Sequence, residues 1–145
     1  MEHFTINLAN RLRQRASNVL ARHLAPIGLT PQQFFVLYAL DAEQMALSVL
    51  SDAVGSDRST ISEMVSRLTE AGLLDKQDGP LDRRVRVIRL TRAGRALLNR
   101  AKPLAIEAEK QVVEMIPASQ RKQFLACLAM VVSDGSDDIR LARAE

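Results

Sequence analysis

The chain carries a concentrated run of arginines near its middle. The segment from Arg83 to Arg95 contains six arginines and no acidic residue. A guanidinium group binds phosphate through paired hydrogen bonds and fits a narrow minor groove of DNA, where the potential is strongly negative. Alternatively, these arginines form surface salt bridges with Asp75, Asp78 and Asp82, and we expect Asp82 to pair with one of them. Six cations exceed what local pairing requires, so the run favours contact with DNA. The six are Arg83, Arg84, Arg86, Arg89, Arg92 and Arg95.

A second set of polar residues lies upstream, on a predicted helix from Arg58 to Ala71. Its apolar residues follow the spacing i, i+3, i+4, i+7 and must face the core; they are Ile61, Met64, Val65 and Leu68. The opposite face then displays Ser59, Thr60, Ser62, Glu63, Ser66 and Arg67. Short hydroxyl side chains let a helix approach base edges in the major groove, while Arg67 reaches a phosphate. An ordinary solvated helix face has a similar composition, and the arginine run that follows favours the DNA-binding interpretation.

The elements around these residues predict a helix-turn-helix followed by a hairpin. A short helix from Ser48 to Val54 precedes Gly55, and Ser56 or Asp57 caps the helix that follows. Two short strands, Leu73 to Gln77 and Val85 to Leu90, flank a turn at Asp78-Gly79-Pro80. The hairpin is a wing that carries the first arginines of the run.

Long amphipathic helices are predicted at both ends of the chain. They run from Glu2 to Leu24, from Arg92 to about Met115 and from about Ser119 to Val132, while a helix from Pro31 to about Glu43 occupies the centre. Thr30 caps this central helix and Gln33 completes a capping box. We predict a mainly α, α+β fold in one domain, with dimerisation helices at 1–30 and 92–145 and a winged lobe at 31–91. A frayed tail is expected from Ser133 onward.

Composition narrows the function classes. The chain has 145 residues, 47% of them hydrophobic, and a net charge of +3, which permits nucleic-acid binding without requiring it. Cys127 is its only cysteine, so no intramolecular disulfide is possible, and no signal peptide or membrane span is recognisable. We therefore expect a cytoplasmic location, no membrane partner and no cofactor.

These residues resemble the multiple antibiotic resistance regulators, the MarR family, over nearly the whole chain. The most specific elements open and close the second helix and continue through the wing. They are Asp57-Arg58-Ser59-Thr60, Arg67-Leu68, Ala71-Gly72-Leu73, Asp82-Arg83-Arg84, Leu90-Thr91 and Gly94.

The resemblance implies a ligand-responsive repressor that binds a pseudo-palindromic operator in double-stranded DNA as a homodimer. By position, Ser59, Thr60 and Ser62 touch bases or nearby phosphates, while Arg84 enters the minor groove, held in place by Asp82. The complete predicted DNA-contact set is Ser48, Arg58, Ser59, Thr60, Ser62, Glu63, Ser66, Arg67, Asp82, Arg83, Arg84 and Arg86. Glu63 departs from the family, which often has arginine there. It either accepts a hydrogen bond from cytosine N4 or faces an arginine of its own protein, and we favour the second.

The resemblance also implies a small aromatic or anionic effector, with a pocket near Arg15, Phe35 and Tyr38. The alternative is that Phe35 and Tyr38 are simple core residues and that Arg15 is a surface charge. Cys127 lies on an apolar face, which predicts a buried, inert thiol. His3 and His23 form no metal-ligand spacing, so no metal site is predicted.

Two other classes of function are alternatives to a DNA-binding regulator. A winged helix also serves as a protein-interaction module, but an interface would favour aromatic anchors, and the chain has no tryptophan and one tyrosine. An enzyme has little support, because no glycine-rich phosphate loop, nucleophile motif or convergent set of histidines and carboxylates is present.

Overall fold

The computed structural model describes residues 4–133 and has the predicted mixture of helices and a small sheet. The elements in chain order are α1 (Thr5–Leu24), a 3-10 turn (Ala25–Ile27), α2 (Pro31–Ala39), β1 (Met45–Ala46), α3 (Leu47–Val54), α4 (Arg58–Glu70), β2 (Leu74–Asp78), β3 (Arg86–Leu90), α5 (Arg92–Val113) and α6 (Ala118–Val132). The mainly α fold class with a small β wing is confirmed. None of the helices within 4–133 is long and apolar enough to cross a membrane.

The chain divides into two compact units, Met1–Glu109 and Lys110–Glu145. The first unit contains the helix-turn-helix, the sheet and most of α5, and the second contains α6. The boundary between the two units, after Glu109, differs from the predicted boundaries between dimerisation helices and winged lobe. The assignment of 1–30 and 92–145 to dimerisation stays a prediction.

Local signals in the sequence set the helix starts. The Thr30 hydroxyl accepts the Gln33 backbone N–H, and the Gln33 side chain accepts the Thr30 backbone N–H, which completes the predicted capping box of α2. Asp57, not Ser56, caps α4 by accepting the backbone N–H of Thr60 at 2.8 Å. Gly55 ends α3 at a φ of 71°, a left-handed conformation that glycine adopts without a steric penalty.

Two predicted helix ends are wrong. Helix α2 ends at Ala39 rather than near Glu43, because the chain turns there to place β1 in the sheet. Helix α5 ends at Val113, and Met115 beyond it is 79% exposed rather than part of a buried stripe. The predicted start of α1 at Glu2 and the tail beyond Ser133 lie outside the described residues.

The three strands form one antiparallel sheet in the order β1-β3-β2. Leu74 pairs with Leu90 and Asp78 with Arg86, so the hairpin of β2 and β3 has the predicted topology. Met45 and Ala46 pair with Ile88 and Val87 on the other side of β3. This two-residue strand was not predicted, since two residues show no alternation.

The core of the first unit includes the apolar face of α4 that periodicity predicts. Its fully buried large side chains are Leu24, Val36, Leu37, Leu40, Leu50, Ile61, Val65 and Leu98. Of the aromatic residues on α2, Phe34 is buried, but Phe35 and Tyr38 are 47% and 55% exposed, so the alternative that both are simple core residues is wrong. In the second unit α6 has no fully buried residue, and it exposes the apolar side chains of Leu125, Met130, Val131 and Val132.

Candidate nucleic-acid interface

Helix α4 presents its polar face beside an open depression of about 600 Å³. The depression is lined by Leu47, Arg58, Ser59, Ser62, Glu63 and Ser66. We call these five polar residues together with Arg67 the α4 face. Ile61, Val65 and Leu68 are buried on the opposite side, so the helix is fixed in rotation. The structure therefore brings most of the predicted major-groove residues together on one surface.

The hydroxyl groups near the start of α4 differ in their freedom. The Thr60 hydroxyl donates a 2.6 Å hydrogen bond to Asp57, and the Ser66 hydroxyl donates to the Ser62 carbonyl at 3.0 Å. The hydroxyls of Ser59 and Ser62 have no such internal partner among the described residues. Two of the four hydroxyls are thus available to an external ligand without breaking a bond within the helix.

The Asp57 cap is held in its charged form. Hydrogen bonds from the hydroxyl and then the backbone N–H of Thr60 hold the pKa of Asp57 below its usual value of 3.8. A carboxylate at this end also interacts favourably with the helix dipole. Thr60 therefore belongs to the cap, and its predicted contact with bases would compete with this bond.

Glu63 faces an arginine of its own chain, as we favoured from the sequence. The Glu63 carboxylate forms an ion pair with Arg67 one helical turn further along α4. Both side chains are largely exposed, at 67% and 71%. Ser48 lies half-buried near the start of α3, next to Leu47 at the edge of the depression but outside its lining.

The loop between β2 and β3, residues 79–85, forms the tip of the wing. Gly79 is buried here, and its backbone N–H donates to the Val85 carbonyl at 2.6 Å. A Cβ atom on Gly79 would lie 2.7 Å from the Asp82 carbonyl oxygen, so the turn excludes a side chain at this position. The Asp82 carboxylate accepts the backbone N–H of Arg84 at 2.9 Å. Asp82 thus holds the backbone of Arg84, and the expected ion pair between Asp82 and an arginine is not formed.

The arginine run divides into paired and unpaired members. Arg86 pairs with Asp78 at 3.2 Å and Arg89 with Asp75 at 2.9 Å, both across the hairpin. Arg83 and Arg84 at the wing tip are exposed and form no ion pair within 4–133. The salt-bridge alternative therefore holds for the two strand arginines, Arg86 and Arg89, and contact of the wing-tip arginines with DNA stays a prediction.

A close backbone approach joins the wing to α4. The Thr91 hydroxyl donates to the Gly72 carbonyl at 2.7 Å and accepts the Gly94 N–H at 3.0 Å, while its backbone N–H donates to Leu73. A Cβ atom on Gly94 would overlap the Leu73 carbonyl oxygen. The end of α4 and the start of α5 are thus packed backbone to backbone, and the wing between them has little freedom to move away.

An ion-pair cluster on Asp41 was missed by the sequence reading. Its carboxylate accepts from Lys102 at 2.6 Å and from Arg95 at 3.0 Å, two turns apart on α5. The hydrogen bond from Lys102, with the positive charges of Lys102 and Arg95, holds the pKa of Asp41 below 3.8. The seven-residue spacing of the two cations was visible, but nothing in the sequence indicated their partner. Arg95 therefore pairs with Asp41 within the fold.

The remaining candidate residues belong to α1, α2 and α6. Phe35 and Tyr38 both contact the buried Phe34 ring, with ring centroids 5.5 and 5.7 Å away. Arg15 is exposed on α1. Cys127 is exposed on α6, which corrects the expected buried thiol. No group of three or more metal-ligating side chains comes together in the described part of the chain.

Comparison with known proteins gives a consistent result. The sequence model of the MarR family matches residues 27–85. The transcriptional regulator HosA of Escherichia coli O111:H- is 28% identical over 119 residues, covering 80% of this chain and 87% of HosA. The structure of the repressor CouR bound to a 23-mer DNA duplex is 31% identical with a TM-score of 0.80, covering 90% of this chain and 93% of that one.

Two further structures extend the likeness. CouR from Rhodococcus jostii RHA1 bound to p-coumaroyl-CoA is 28% identical with a TM-score of 0.76, covering 86% of this chain and 89% of that one. Apo MarR from E. coli shares the fold, with a TM-score of 0.80 at 20% identity, covering 92% of this chain and all of that one.

Proposed function

The chain belongs to the MarR family, and we propose that it is a transcriptional repressor that binds duplex DNA sequence-specifically. The observation that carries this proposal is the pairing of two different surfaces in the first unit. The α4 face offers free serine hydroxyls beside an open depression, and the wing tip offers two unpaired arginines. A helix in the major groove and a guanidinium in the minor groove are complementary means of holding a duplex.

Relatives support this assignment. CouR has been solved on a DNA duplex, and HosA is named a transcriptional regulator. Repression requires no catalytic group of its own, and we propose no enzymatic activity. Since the proposed partner is DNA, we propose a cytoplasmic location.

We further propose that the active form is a homodimer on a pseudo-palindromic site. In the first unit, Phe4 and Ile6 on α1 are exposed by 73% and 78%. In the second unit, Met130, Val131 and Val132 on α6 are at least 76% exposed. Extended apolar surfaces of this kind usually mark an interface. Sedimentation equilibrium should give twice the monomer mass of 16.1 kDa, and a monomer at the concentrations used for DNA binding would contradict the proposal.

The repressor is proposed to respond to a small aromatic or anionic effector near Arg15, Phe35 and Tyr38. The two aromatic side chains are half-exposed on α2 and rest on Phe34, which leaves ring surface for a ligand. Aromatic acids and their coenzyme A thioesters are the first compounds to test. An active compound should release the DNA from the wild-type protein and do so less effectively in Tyr38→Ala.

The experiment that tests the central proposal is selection of bound sites from a random duplex library. We expect retention of duplexes at low salt, followed by enrichment of one motif with two related half-sites. Failure to retain any duplex would contradict DNA binding and favour a protein-interaction module. Retention without enrichment of a motif would contradict sequence specificity.

A further inference from the structure

Glu63 lies at the centre of the α4 face, where a negative charge is unfavourable for DNA binding. Ser59 and Ser66 flank it at i−4 and i+3, and all three line the same depression. The Glu63 side chain is 67% exposed, so its carboxylate is accessible to a ligand at this face. Repulsion by the phosphates therefore weakens binding to every duplex unless a specific contact offsets it.

A carboxylate is an acceptor, and the major groove limits what it can accept from. The donors there are the N4 amino group of cytosine and the N6 amino group of adenine. Adenine N6 lies between two acceptors, its own N7 and O4 of the paired thymine, whereas cytosine N4 has an acceptor on one side only, O6 of the paired guanine, so a carboxylate meets less repulsion at cytosine. A glutamate at this position therefore favours cytosine.

The ion pair with Arg67 leaves the carboxylate able to make this contact. Arg67 Nη2 donates to Glu63 Oε1, while Oε2 accepts no hydrogen bond from the described residues. The pair fixes the orientation of the carboxylate and reduces its repulsion of nearby phosphates. Arg67 is thereby drawn along the helix towards Glu63 and is less available as a general phosphate contact.

We propose that Glu63 is a specificity-determining residue that selects a cytosine in each half-site, with Arg67 as its positioning residue. The inference rests on the proposed function, because it assumes that the α4 face enters the major groove. The Glu63 carboxylate lowers the affinity for every duplex by repelling phosphates. A hydrogen bond to cytosine offsets this loss only at the matching sequence, so the residue increases discrimination between sequences more than it increases affinity.

The test compares motifs selected by the wild type and by Glu63→Gln, followed by affinities for the selected duplex with each base replaced in turn. We expect the wild type to lose about tenfold in affinity when one cytosine per half-site is replaced. Glu63→Gln should lose that preference, or shift it towards adenine, while its preferences elsewhere are unchanged. Glu70→Gln is the matched control: it removes the same charge from an exposed position on the same helix and should leave the motif unchanged.

The outcomes separate this inference from the proposed function. If the wild type selects a motif and Glu63→Gln selects the same one, the specificity role is wrong while DNA binding stands. A uniform gain in affinity for all duplexes would mean that Glu63 acts only through charge, and would also overturn it. Failure of the wild type to bind any duplex would instead overturn the proposed function.

Arg67 is tested separately through conservative and neutral replacements. Arg67→Lys retains a cation for Glu63 and should retain the preference for cytosine, whereas Arg67→Gln should weaken it about threefold, the size of effect that an exposed ion pair gives. Equal preference in all three proteins would overturn the positioning role.

Discussion

The α4 face and the wing tip differ in how their polar groups are satisfied. On α4, Thr60 bonds to Asp57 in the cap, and on the α4 face Ser66 bonds to the backbone and Glu63 to Arg67. At the wing tip, Asp82 fixes the backbone of Arg84, but the guanidinium groups of Arg83 and Arg84 have no acidic partner in the described chain. Arg58 on the α4 face also has no ion pair in the described chain, so the helix offers one unpaired cation beside its internally bonded groups and the wing tip offers two. This contrast predicts that α4 determines which DNA sequence is bound, and that the wing tip determines the affinity of binding.

The largest expected effect comes from breaking the junction that holds these two regions together. Helix propensity alone predicts that Gly94→Ala stabilises α5 by about 1 kcal/mol. The new Cβ would overlap the Leu73 carbonyl oxygen, and overpacking against backbone costs about 3 kcal/mol or more. We expect a net fall in the free energy of unfolding, measured by urea denaturation.

Gly28→Ala is the control for the junction. Gly28 has a positive φ of 69° but open space around its Cβ position, so it carries only the backbone penalty of about 1 to 2 kcal/mol. A Gly94→Ala protein as stable as the wild type would contradict the close packing of α4 against α5.

The next effect is the loss of a free arginine from the wing tip. Arg84→Ala should weaken binding to the selected duplex by about 1 to 3 kcal/mol, because a minor-groove guanidinium is lost. Arg86→Ala should cost less, since Arg86 already pairs with Asp78. Fluorescence anisotropy on one duplex measures both. Equal losses would show that the ion pair across the hairpin does not withhold Arg86 from DNA.

A smaller effect distinguishes the free hydroxyls of the α4 face from the bound ones. Ser59→Ala removes an unpaired hydroxyl and should weaken binding by about 1 kcal/mol. Thr60→Val removes a hydroxyl that already donates to Asp57 and should change the affinity less. The same anisotropy assay compares them. A larger loss for Thr60→Val would mean that the cap bond gives way to a base contact in the complex.

The smallest effect concerns Asp41, which belongs to neither surface. Its pKa is lowered in the folded state, so its contribution to stability is present above the usual value of 3.8 and is lost as the pH falls through the folded value. At neutral pH, Asp41→Asn should reduce the free energy of unfolding by about 1 kcal/mol or less, since the partners are partly exposed. The difference from the wild type should shrink below pH 3.8. A constant difference down to the acid transition would show that the charge of Asp41 is irrelevant.

The sequence predicted those features that depend on local signals. Two helices begin at the predicted capping residues, Thr30 and Asp57, whose side chains accept backbone N–H groups. Helix α3 ends at Gly55, where the turn requires a positive φ. The buried face of α4 follows from a regular apolar spacing. These features involve residues a few positions apart, so one stretch of chain contains the whole signal.

Features that depend on distant partners were predicted less well. The pairing of Arg89 with Asp75 and of Arg95 with Asp41 joins residues 14 and 54 positions apart. The distribution of charge along the sequence did not show which arginines have an acidic partner in the fold. The sequence left Phe35 and Tyr38 open between an effector pocket and the core, and apolar spacing alone does not show that both side chains are half-exposed. Which residues touch DNA or an effector stays a prediction.

The salt dependence of binding to the selected duplex tests the division between shape and charge most directly. Counterion release predicts that the logarithm of affinity falls linearly with the logarithm of salt concentration, and that each lost phosphate contact lowers the slope by about 1. We expect the Arg83→Ala, Arg84→Ala double variant to bind the same motif with a shallower slope, and Glu63→Gln to change the motif while keeping the slope steep. Salt-independent binding of the wild type, or an unchanged slope in the wing-tip variant, would contradict the account.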